Sequence, residues 1–224
     1  MRNDRHLAIK LRKKGKSYNH ISKVLEIPKS TMVYWFKNKT WSEEIKKELT
    51  RKANYIAKKR LTLINKRRQE QWEKWRESHR IEAVTEFNRL KSNPLFMAGL
   101  MLYWAEGDNN LQNSMVRISN ITPNIIKIFV EFIKKICKIP DEKIKISLII
   151  YPDLNDESCK KFWMRQTKLQ KGNFYKTQVI RGKHPTKRLE NGICMITAGG
   201  RGLKEKIFQW YKLSTEMLLN ADMV

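Results

Sequence analysis

The sequence predicts an α+β protein whose two halves are built differently. Residues 1–93 show helical periodicity, whereas residues 94–224 mix helical patterns with short runs of alternating apolar and polar residues. Hydrophobic residues make up 41% of the 224 residues, which is enough for a packed core. We therefore expect a helix-turn-helix over residues 1–40, a basic helical connector over residues 41–93 and an αβ domain over residues 94–224.

The charge of the chain indicates a polyanionic partner. There are 47 Lys and Arg against 22 Asp and Glu, so the formal net charge is +25. The excess is densest in residues 1–40, which hold 11 basic and 2 acidic side chains. Nucleic acid is the leading candidate for the partner of so basic a chain. Basic charge with interleaved aromatic residues suits RNA as well as double-stranded DNA.

Several protein classes do not fit the sequence. No stretch of about 18 apolar residues is present, so we expect no membrane span. The first residues, Met-Arg-Asn-Asp-Arg-His, lack the apolar segment of a secretory signal. The three cysteines are far apart and form no Cys-x-x-Cys pair, which argues against a disulfide framework or a structural zinc site. We therefore expect a cytoplasmic, nucleoid-associated protein.

The first forty residues carry the pattern of a helix-turn-helix. Apolar residues at helical spacing predict three short helices, interrupted at Gly15 and at Glu26-Ile27-Pro28. Ser17 can cap the second helix, and the pattern assigns Met32, Val33 and Phe36 to the inner face of the third. In this motif the later helix enters the major groove with its N-terminal residues first. The candidate contacts to bases or phosphates are Lys29, Ser30, Thr31 and Tyr34.

The run SYNHISKVLEIPKSTMVYW resembles the helix-turn-helix of resolvase-type and homeodomain-like bacterial proteins. The resemblance implies a DNA-reading head. The alternative is a three-helix piece that only packs against the rest of the chain.

The connector is expected to be a long helix. Ser42, followed by two glutamates, is a good helix start, and neither Pro nor Gly occurs before Pro94. The pattern allows one helix of about 50 residues or two helices with a break between them. Residues 46–68 carry ten Lys or Arg against one acid, and they form either a phosphate-binding face or a solvated one. The candidate phosphate contacts are Arg60, Arg67 and Arg68.

Residues 94–108 are the most informative stretch. They read Pro-Leu-Phe-Met-Ala-Gly-Leu-Met-Leu-Tyr-Trp-Ala-Glu-Gly-Asp, which predicts a helix buried nearly all round. Gly107 is expected to end this helix in the left-handed conformation. Glu106 lies at the negative end of the helix dipole, which is unfavourable by ~0.3–1 kcal/mol, and such a broken local rule indicates function. Small side chains on one face allow a second helix to approach closely, at Ala98, Gly99, Leu102 and Ala105.

The same stretch resembles the LAGLIDADG motif of homing endonucleases. Leu102, Ala105 and Gly107 match the fourth, seventh and ninth letters of that motif, and Glu106 stands at its acidic eighth letter. Trp104 replaces the first acid. The chain is most similar to a bacterial and archaeal subgroup that carries a Tyr-Trp-x-Glu-Gly form of the motif behind a helix-turn-helix.

The resemblance implies a dimeric, metal-dependent endonuclease. In the family, two such helices pack at a twofold interface, and the acid at the base of each binds a divalent metal between two scissile phosphates. Carried over, that acid is Glu106 alone. Asp108 is a nearby acid that could assist it, but the resemblance does not imply this role. One motif in the chain implies a homodimer, bound Mg²⁺ and a double-strand break in a near-palindromic duplex. The alternative is a non-catalytic transcriptional regulator on a degenerate LAGLIDADG fold, in which Glu106 merely ends a helix.

The remaining sequence predicts the αβ saddle of that family. Strands are expected over residues 115–119, 143–151 and 193–197, and helices over residues 122–138, 157–169 and 203–213. The saddle places one sheet face over DNA, so basic strand residues are candidate groove contacts. These residues are Arg117, Lys143 and Lys145. A basic loop over residues 170–191 adds candidates that could follow the DNA backbone. These residues are Arg181, Lys183, Lys187 and Arg188.

Overall fold

The computed structural model describes residues 4–181 and 189–220. The chain divides into two units, Met1–Trp72 and Glu73–Val224. Helices occur in both units and a four-stranded mixed sheet occurs in the second, so the predicted α+β class is confirmed. Among the described residues, no helix combines the length and apolar character needed to cross a membrane. The predicted contacts Lys183, Lys187 and Arg188 lie outside the described residues.

Three short helices and the start of a long one make up the first unit. The helices are α1 (Arg5–Lys13), α2 (Tyr18–Leu25), α3 (Lys29–Phe36) and α4 (Thr40–Leu90). Ser17 Oγ accepts a hydrogen bond from the His20 backbone N–H at 3.2 Å, which confirms the predicted N-cap of α2. A small core of fully buried apolar side chains joins the three short helices. Its members are Ala8, Ile21, Ile27, Met32 and Phe36.

A buried arginine ties α1 to the first turn of α4. Arg12 is 2% exposed, and its guanidinium donates to Ser42 Oγ at 3.1 Å, to the Ser42 carbonyl at 2.7 Å and to the Lys16 carbonyl at 3.0 Å. It also lies over the Tyr18 ring, 4.5 Å from the centroid. The predicted helix start at Ser42 is therefore wrong: α4 begins at Thr40, and the Ser42 hydroxyl accepts from Arg12 instead of capping a helix.

Helix α4 runs without interruption over 51 residues, so of the two interpretations of the connector the single helix is correct. Every residue from 50 to 75 on α4 is exposed. That stretch includes the predicted phosphate contacts Arg60, Arg67 and Arg68. Burial begins again at residues 83 and 87, where Ala83 and Phe87 enter the core of the second unit.

Four strands form the sheet of the second unit in the order β1-β4-β2-β3. The strands are β1 (Val116–Asn120), β2 (Lys145–Ile150), β3 (Gln178–Val179) and β4 (Ile193–Ala198). β4 pairs antiparallel with both β1 and β2, and β3 pairs parallel with β2. Alternate residues of β1 and β4 are buried, and β2 follows the same period except that Ser147 is buried as well. This is the period expected when one sheet face covers the core.

Helices cover that buried face. Helix α5 spans Pro94–Glu106, α6 spans Pro123–Glu131 and continues as a π-helical turn over Phe132–Ile136, α7 spans Asp156–Thr167, and α8 spans Arg201–Leu219. Short 3₁₀ turns lie at Asp141–Lys143 and Lys171–Asn173. α5, α6 and α8 contact β1, and α6 also contacts β4. Among the described residues, no helix covers the opposite face of the sheet, whose side chains are half-buried or exposed apart from the buried Ser147.

Candidate nucleic-acid interface and acidic cleft

Three of the four base or phosphate contacts predicted on α3 lie on its exposed outer face. Lys29, Ser30 and Tyr34 are exposed, and Thr31 is half-buried. Met32 and Phe36 point into the core as expected. Val33 does not, because it is 56% exposed. The predicted inner position of Val33 is wrong: Val33 lies about 100° around the helix from Met32, which places it at the edge of the buried side instead of within it.

The basic run of α4 faces solvent. Arg60 and Arg67 are seven residues apart and therefore lie on one side of the helix. Exposed apolar side chains interrupt the run, among them Tyr55, whose ring lies 5.6 Å from Lys59 Nζ. Phosphate binding by this segment stays a prediction.

An open cleft of about 340 Å³ lies at the end of α5, beside β1 and β4. Glu106 is the last residue of α5, and it is exposed. The side chains around the cleft come from the turn after α5 and from the open face of the sheet. Its lining residues are Glu106, Gly107, Asp108, Asn113, Arg117, Ile118, Ser119 and Met195.

Gly107 turns the chain from α5 directly toward the sheet. Its φ is −89° and its ψ 164°, so the predicted left-handed conformation is wrong. The Gly107 N–H donates to the Tyr103 carbonyl at 2.8 Å, and Gly107 also pairs with Ile118 as an isolated bridge. A Cβ at this position would lie 2.2 Å from the Tyr103 carbonyl oxygen. Close packing of the backbone, rather than a positive φ, therefore requires glycine here.

The carboxylate of Asp108 is surrounded by hydrogen-bond donors and positive charges. Its carboxylate accepts from Asn113 Nδ2 at 2.7 Å, from the Asn110 N–H at 3.1 Å and from Arg117 at 3.1 Å. Lys204 Nζ lies 3.9 Å from the carboxylate and donates to the Asn110 carbonyl at 2.8 Å. Burial alone would raise the pKa of Asp108, but these hydrogen bonds and the charges of Lys204 and Arg117 outweigh it and lower the pKa.

Asn110, Asn113 and Arg117 lie within nine residues of Asp108, but the sequence carries no signal for the contact with Lys204, which is far away along the chain. Lys204 comes from α8 and is completely buried. Burial lowers its pKa, and the nearby charge of Asp108 opposes that effect. Asp108 therefore has a structural role: it fixes the loop after Glu106 and orients Arg117 along the rim of the cleft.

Asp108→Asn is expected to destabilise the second unit by about 1.5–3 kcal/mol at pH 7, because hydrogen bonds to a charged group are lost. The pKa of the carboxyl in the folded chain lies below its ordinary value of 3.8. Its stabilising contribution is therefore present above pH 3.8 and is lost as the pH falls through the lower, folded-state pKa. Urea unfolding of both proteins at pH 7 and pH 3 measures this. A difference that stays constant between the two pH values would contradict the assignment.

Basic residues lie in one row across the open face of the sheet. Arg117 and Lys145 both pair in register with Thr197, one from each side. Lys145 Nζ donates to the Gly172 carbonyl at 3.2 Å, and Arg117 Nε is buried without a hydrogen-bond partner. Arg181 is exposed shortly after β3.

Lys143 departs from the prediction. It lies in the 3₁₀ turn Asp141–Lys143, just before β2, instead of in the strand. The Lys143 N–H donates to the Pro140 carbonyl at 3.0 Å, so local turn formation replaces ladder pairing at this position.

One face of α5 is open, so the prediction of a helix buried nearly all round is wrong. Ala98 and Ala105 are exposed, and Leu102 is half-buried between them. Gly99 does not belong to this face, because it is buried against Phe132, whose Cγ would lie 2.2 Å from a Cβ built at Gly99. Its small size serves the packing of α5 on the π-helical turn, so Gly99 is not part of the exposed face of α5.

The aromatic residue that stands at the first acidic letter of the motif packs within the unit. Trp104 stacks on Tyr211 of α8, with ring centroids 3.4 Å apart and an interplanar angle of 7°. It supplies no ligand atom for a metal.

The chain finds no match among protein-family models, curated proteins or solved structures. The arrangement of its own residues must therefore carry any functional conclusion. Over residues 4–181 and 189–220, no group of three or more His, Cys, Asp or Glu could hold a metal ion. One chain thus offers the cleft a single exposed carboxylate, Glu106, beside an Asp108 already bound by cations. Such a donor set fits Mg²⁺, which commonly takes one or two carboxylates and completes its shell with water and phosphate oxygens.

Proposed function

We propose that this protein is a homodimeric, sequence-specific DNA endonuclease that depends on Mg²⁺ and makes a double-strand break. The single observation that carries the proposal is the position of Glu106. This exposed carboxylate ends a helix with an open small-residue face, at a cleft whose rim continues into the basic row of the sheet. An acid next to a surface suited to phosphates is an arrangement that phosphodiester hydrolysis can use.

We assign three roles to the residues in and around the cleft: binding the metal, binding phosphates and holding these side chains in position. Glu106 would hold the metal, which would supply an activated hydroxide and neutralise the leaving oxygen. Arg117 and Lys145 lie where a phosphate backbone could cross the open face of the sheet, and Arg117 is fixed by its 3.1 Å ion pair with Asp108. Asp108 and Lys204 hold Arg117 and the loop after Glu106 in place, so they act as positioning residues.

A second copy of the chain is required for a double-strand break. One chain brings one Glu106, and each strand of the duplex has its own scissile phosphate. Ala98, Leu102 and Ala105 form an exposed or half-buried stripe with the i, i+4, i+7 spacing that a second helix can approach closely. Two copies of α5 packed on this stripe would bring two Glu106 residues together about a twofold axis, which fits a near-palindromic site.

The proposal assigns DNA reading to α3 and phosphate binding to the basic run of α4. Lys29, Ser30 and Tyr34 face outward on α3, and Arg60 and Arg67 share one side of α4. Lys and Arg at phosphates supply affinity, whereas contacts to base edges supply specificity.

Duplex affinity is expected to fall steeply with salt. If roughly 8 phosphates are neutralised, the slope of log K against log salt concentration is about −7, because counterions are released on binding. Fluorescence anisotropy of a labelled duplex between about 50 and 200 mM salt measures the slope. A slope near zero would contradict every DNA-binding assignment made above.

One observation favours a second candidate function, a non-catalytic DNA-binding regulator. Asp108, the acid next to Glu106, is already neutralised by Lys204 and Arg117. Under this alternative, Glu106 only ends a helix, and Mg²⁺ changes neither the DNA nor the protein. Incubating bound duplex with and without Mg²⁺ separates the two functions, since only the endonuclease produces new double-strand ends.

A further inference from the structure

One apolar side chain stands in the middle of the polar outer face of α3. Val33 is 56% exposed, and the neighbouring Tyr34 is 79% exposed. Ser30 and Lys37 lie three residues before and four residues after Val33, so the three side chains form one stripe along the helix. The stripe therefore presents a hydroxyl, a branched apolar group and an ammonium in sequence.

The fold does not require valine at this position. Val33 is absent from the core of the first unit, to which α3 contributes Met32 and Phe36. A β-branched residue also has a lower helix propensity than alanine, because it loses side-chain freedom against the preceding turn. Val33 thus costs the isolated helix a little stability and contributes nothing to the core.

The surroundings of Val33 define the kind of surface it fits. Lys29 and Lys37 flank it on the same exposed face, and residues 1–40 hold 11 basic side chains against 2 acidic ones. An apolar protein partner would have to meet a strongly positive rim. The major groove of DNA instead offers phosphates at its edges and, on one base, an apolar group on its floor.

We propose that Val33 is a specificity-determining residue that selects thymine through contact with its C5-methyl group. The inference rests on the proposed DNA-binding function and adds the base that this position reads. Among the four bases, thymine presents a methyl group in the major groove, and small apolar side chains recognise it by contact. Ser30 and Lys37 would contact neighbouring base edges or phosphates and keep Val33 in register.

The first step of the test compares binding sites selected from a randomised duplex library. Wild-type full-length protein and Val33→Ala are each used to select sites. The alanine side chain ends at Cβ and is too short to reach a methyl group that the γ-carbons of Val33 contact. We therefore expect Val33→Ala to lose the preference for thymine at one position of each half-site and to keep the remaining preferences. Val24→Ala is the matched control, because Val24 is also an exposed valine, at 55%, but belongs to α2. It should select the same sites as the wild type.

The second step removes only the methyl group. Replacing the selected thymine by deoxyuridine should weaken wild-type binding about fourfold, the value expected for one buried methyl group. Val33→Ala should show almost no further loss on the same substitution. Val33→Thr, which retains a methyl group at the same branch point, should respond like the wild type.

The outcomes separate the inference from the function on which it rests. If deoxyuridine weakens wild type and Val33→Ala equally at every thymine of the site, Val33 reads no methyl group, and the inference fails while specific DNA binding stands. If the wild type selects no sequence at all, the proposed sequence-specific function itself fails. A response of Val33→Thr like that of Val33→Ala would also overturn the inference.

Discussion

Replacing Glu106 by Gln is expected to reduce double-strand cleavage by at least about a hundredfold and to leave duplex affinity within about twofold. The carboxylate is exposed at the end of α5, so its loss should not disturb the core. An amide is a much poorer ligand for Mg²⁺, and metal-based stabilisation of the transition state is worth several kcal/mol, where each 1.4 kcal/mol is tenfold in rate. Single-turnover cleavage and anisotropy on one duplex give the two quantities separately.

Glu216→Gln provides the matched control for that experiment. Glu216 is also an exposed helical glutamate of the second unit, with its carboxylate 4.0 Å from Lys212 Nζ in the same helix. It lies twelve residues beyond Lys204 on α8, about 18 Å along the helix. Its replacement removes the same charge and should leave cleavage unchanged. Equal losses of activity in both variants would show that general charge, rather than a ligand at the cleft, explains the effect.

Placing a charge on the open face of α5 is expected to separate the two copies. In Ala98→Glu, two carboxylates would meet across the twofold interface, where a small side chain otherwise allows close approach. Charges buried without partners are costly, so the dissociation constant of the dimer should rise at least about a hundredfold. Because Ala98 is exposed within the chain, the fold of each copy should persist. Analytical ultracentrifugation measures the change, and double-strand cleavage should fall with it.

A control at another alanine distinguishes the interface from the added charge. Ala57 is exposed on α4, outside the α5 stripe, so Ala57→Glu carries the same change in charge. It should remain dimeric in the absence of DNA. If Ala98→Glu sediments like the wild type, or if the wild type is a monomer at concentrations that cleave DNA, the proposed α5 interface is incorrect.

Most of the elements could be predicted because their signals are local. An alternating run over residues 143–151 predicted β2, helical periodicity over residues 122–138 predicted α6, and Ser17 predicted the cap of α2. Helix boundaries differ from the prediction where a side chain forms a hydrogen bond with a distant segment instead of capping the helix. Ser42 is the clearest case, since its hydroxyl is taken by Arg12, thirty residues away in sequence.

The parts of the site that could not be predicted depend on contacts between distant segments. Gly99 and Ala98 are adjacent small residues, and only Gly99 packs against Phe132, where a Cβ would clash with the ring. The local sequence does not show which of the two faces the core. Gly107 is constrained by the backbone of Tyr103 and by its bridge to Ile118, rather than by its own φ. A helical period gives the spacing of a stripe but does not say which element will cover it.

The two acids near the cleft, Glu106 and Asp108, also differ in how much of their role the sequence could predict. Local pattern singled out Glu106 as a charge at the wrong end of a helix dipole, and the structure places it exposed beside a cleft. The ion pair between Asp108 and Lys204, 96 positions later, is not indicated by any pattern near either residue.

The most direct test of the proposed Mg²⁺-dependent endonuclease activity is a cleavage selection. Wild-type protein and Glu106→Gln are each incubated with a randomised duplex library, with Mg²⁺ or with a chelator, and new double-strand ends are captured and sequenced. We expect double-strand ends at one near-palindromic sequence, produced by the wild type with Mg²⁺ and absent from both the chelated sample and Glu106→Gln. Sequences enriched by binding alone, equally in both proteins and with no cut in either, would contradict the proposed activity.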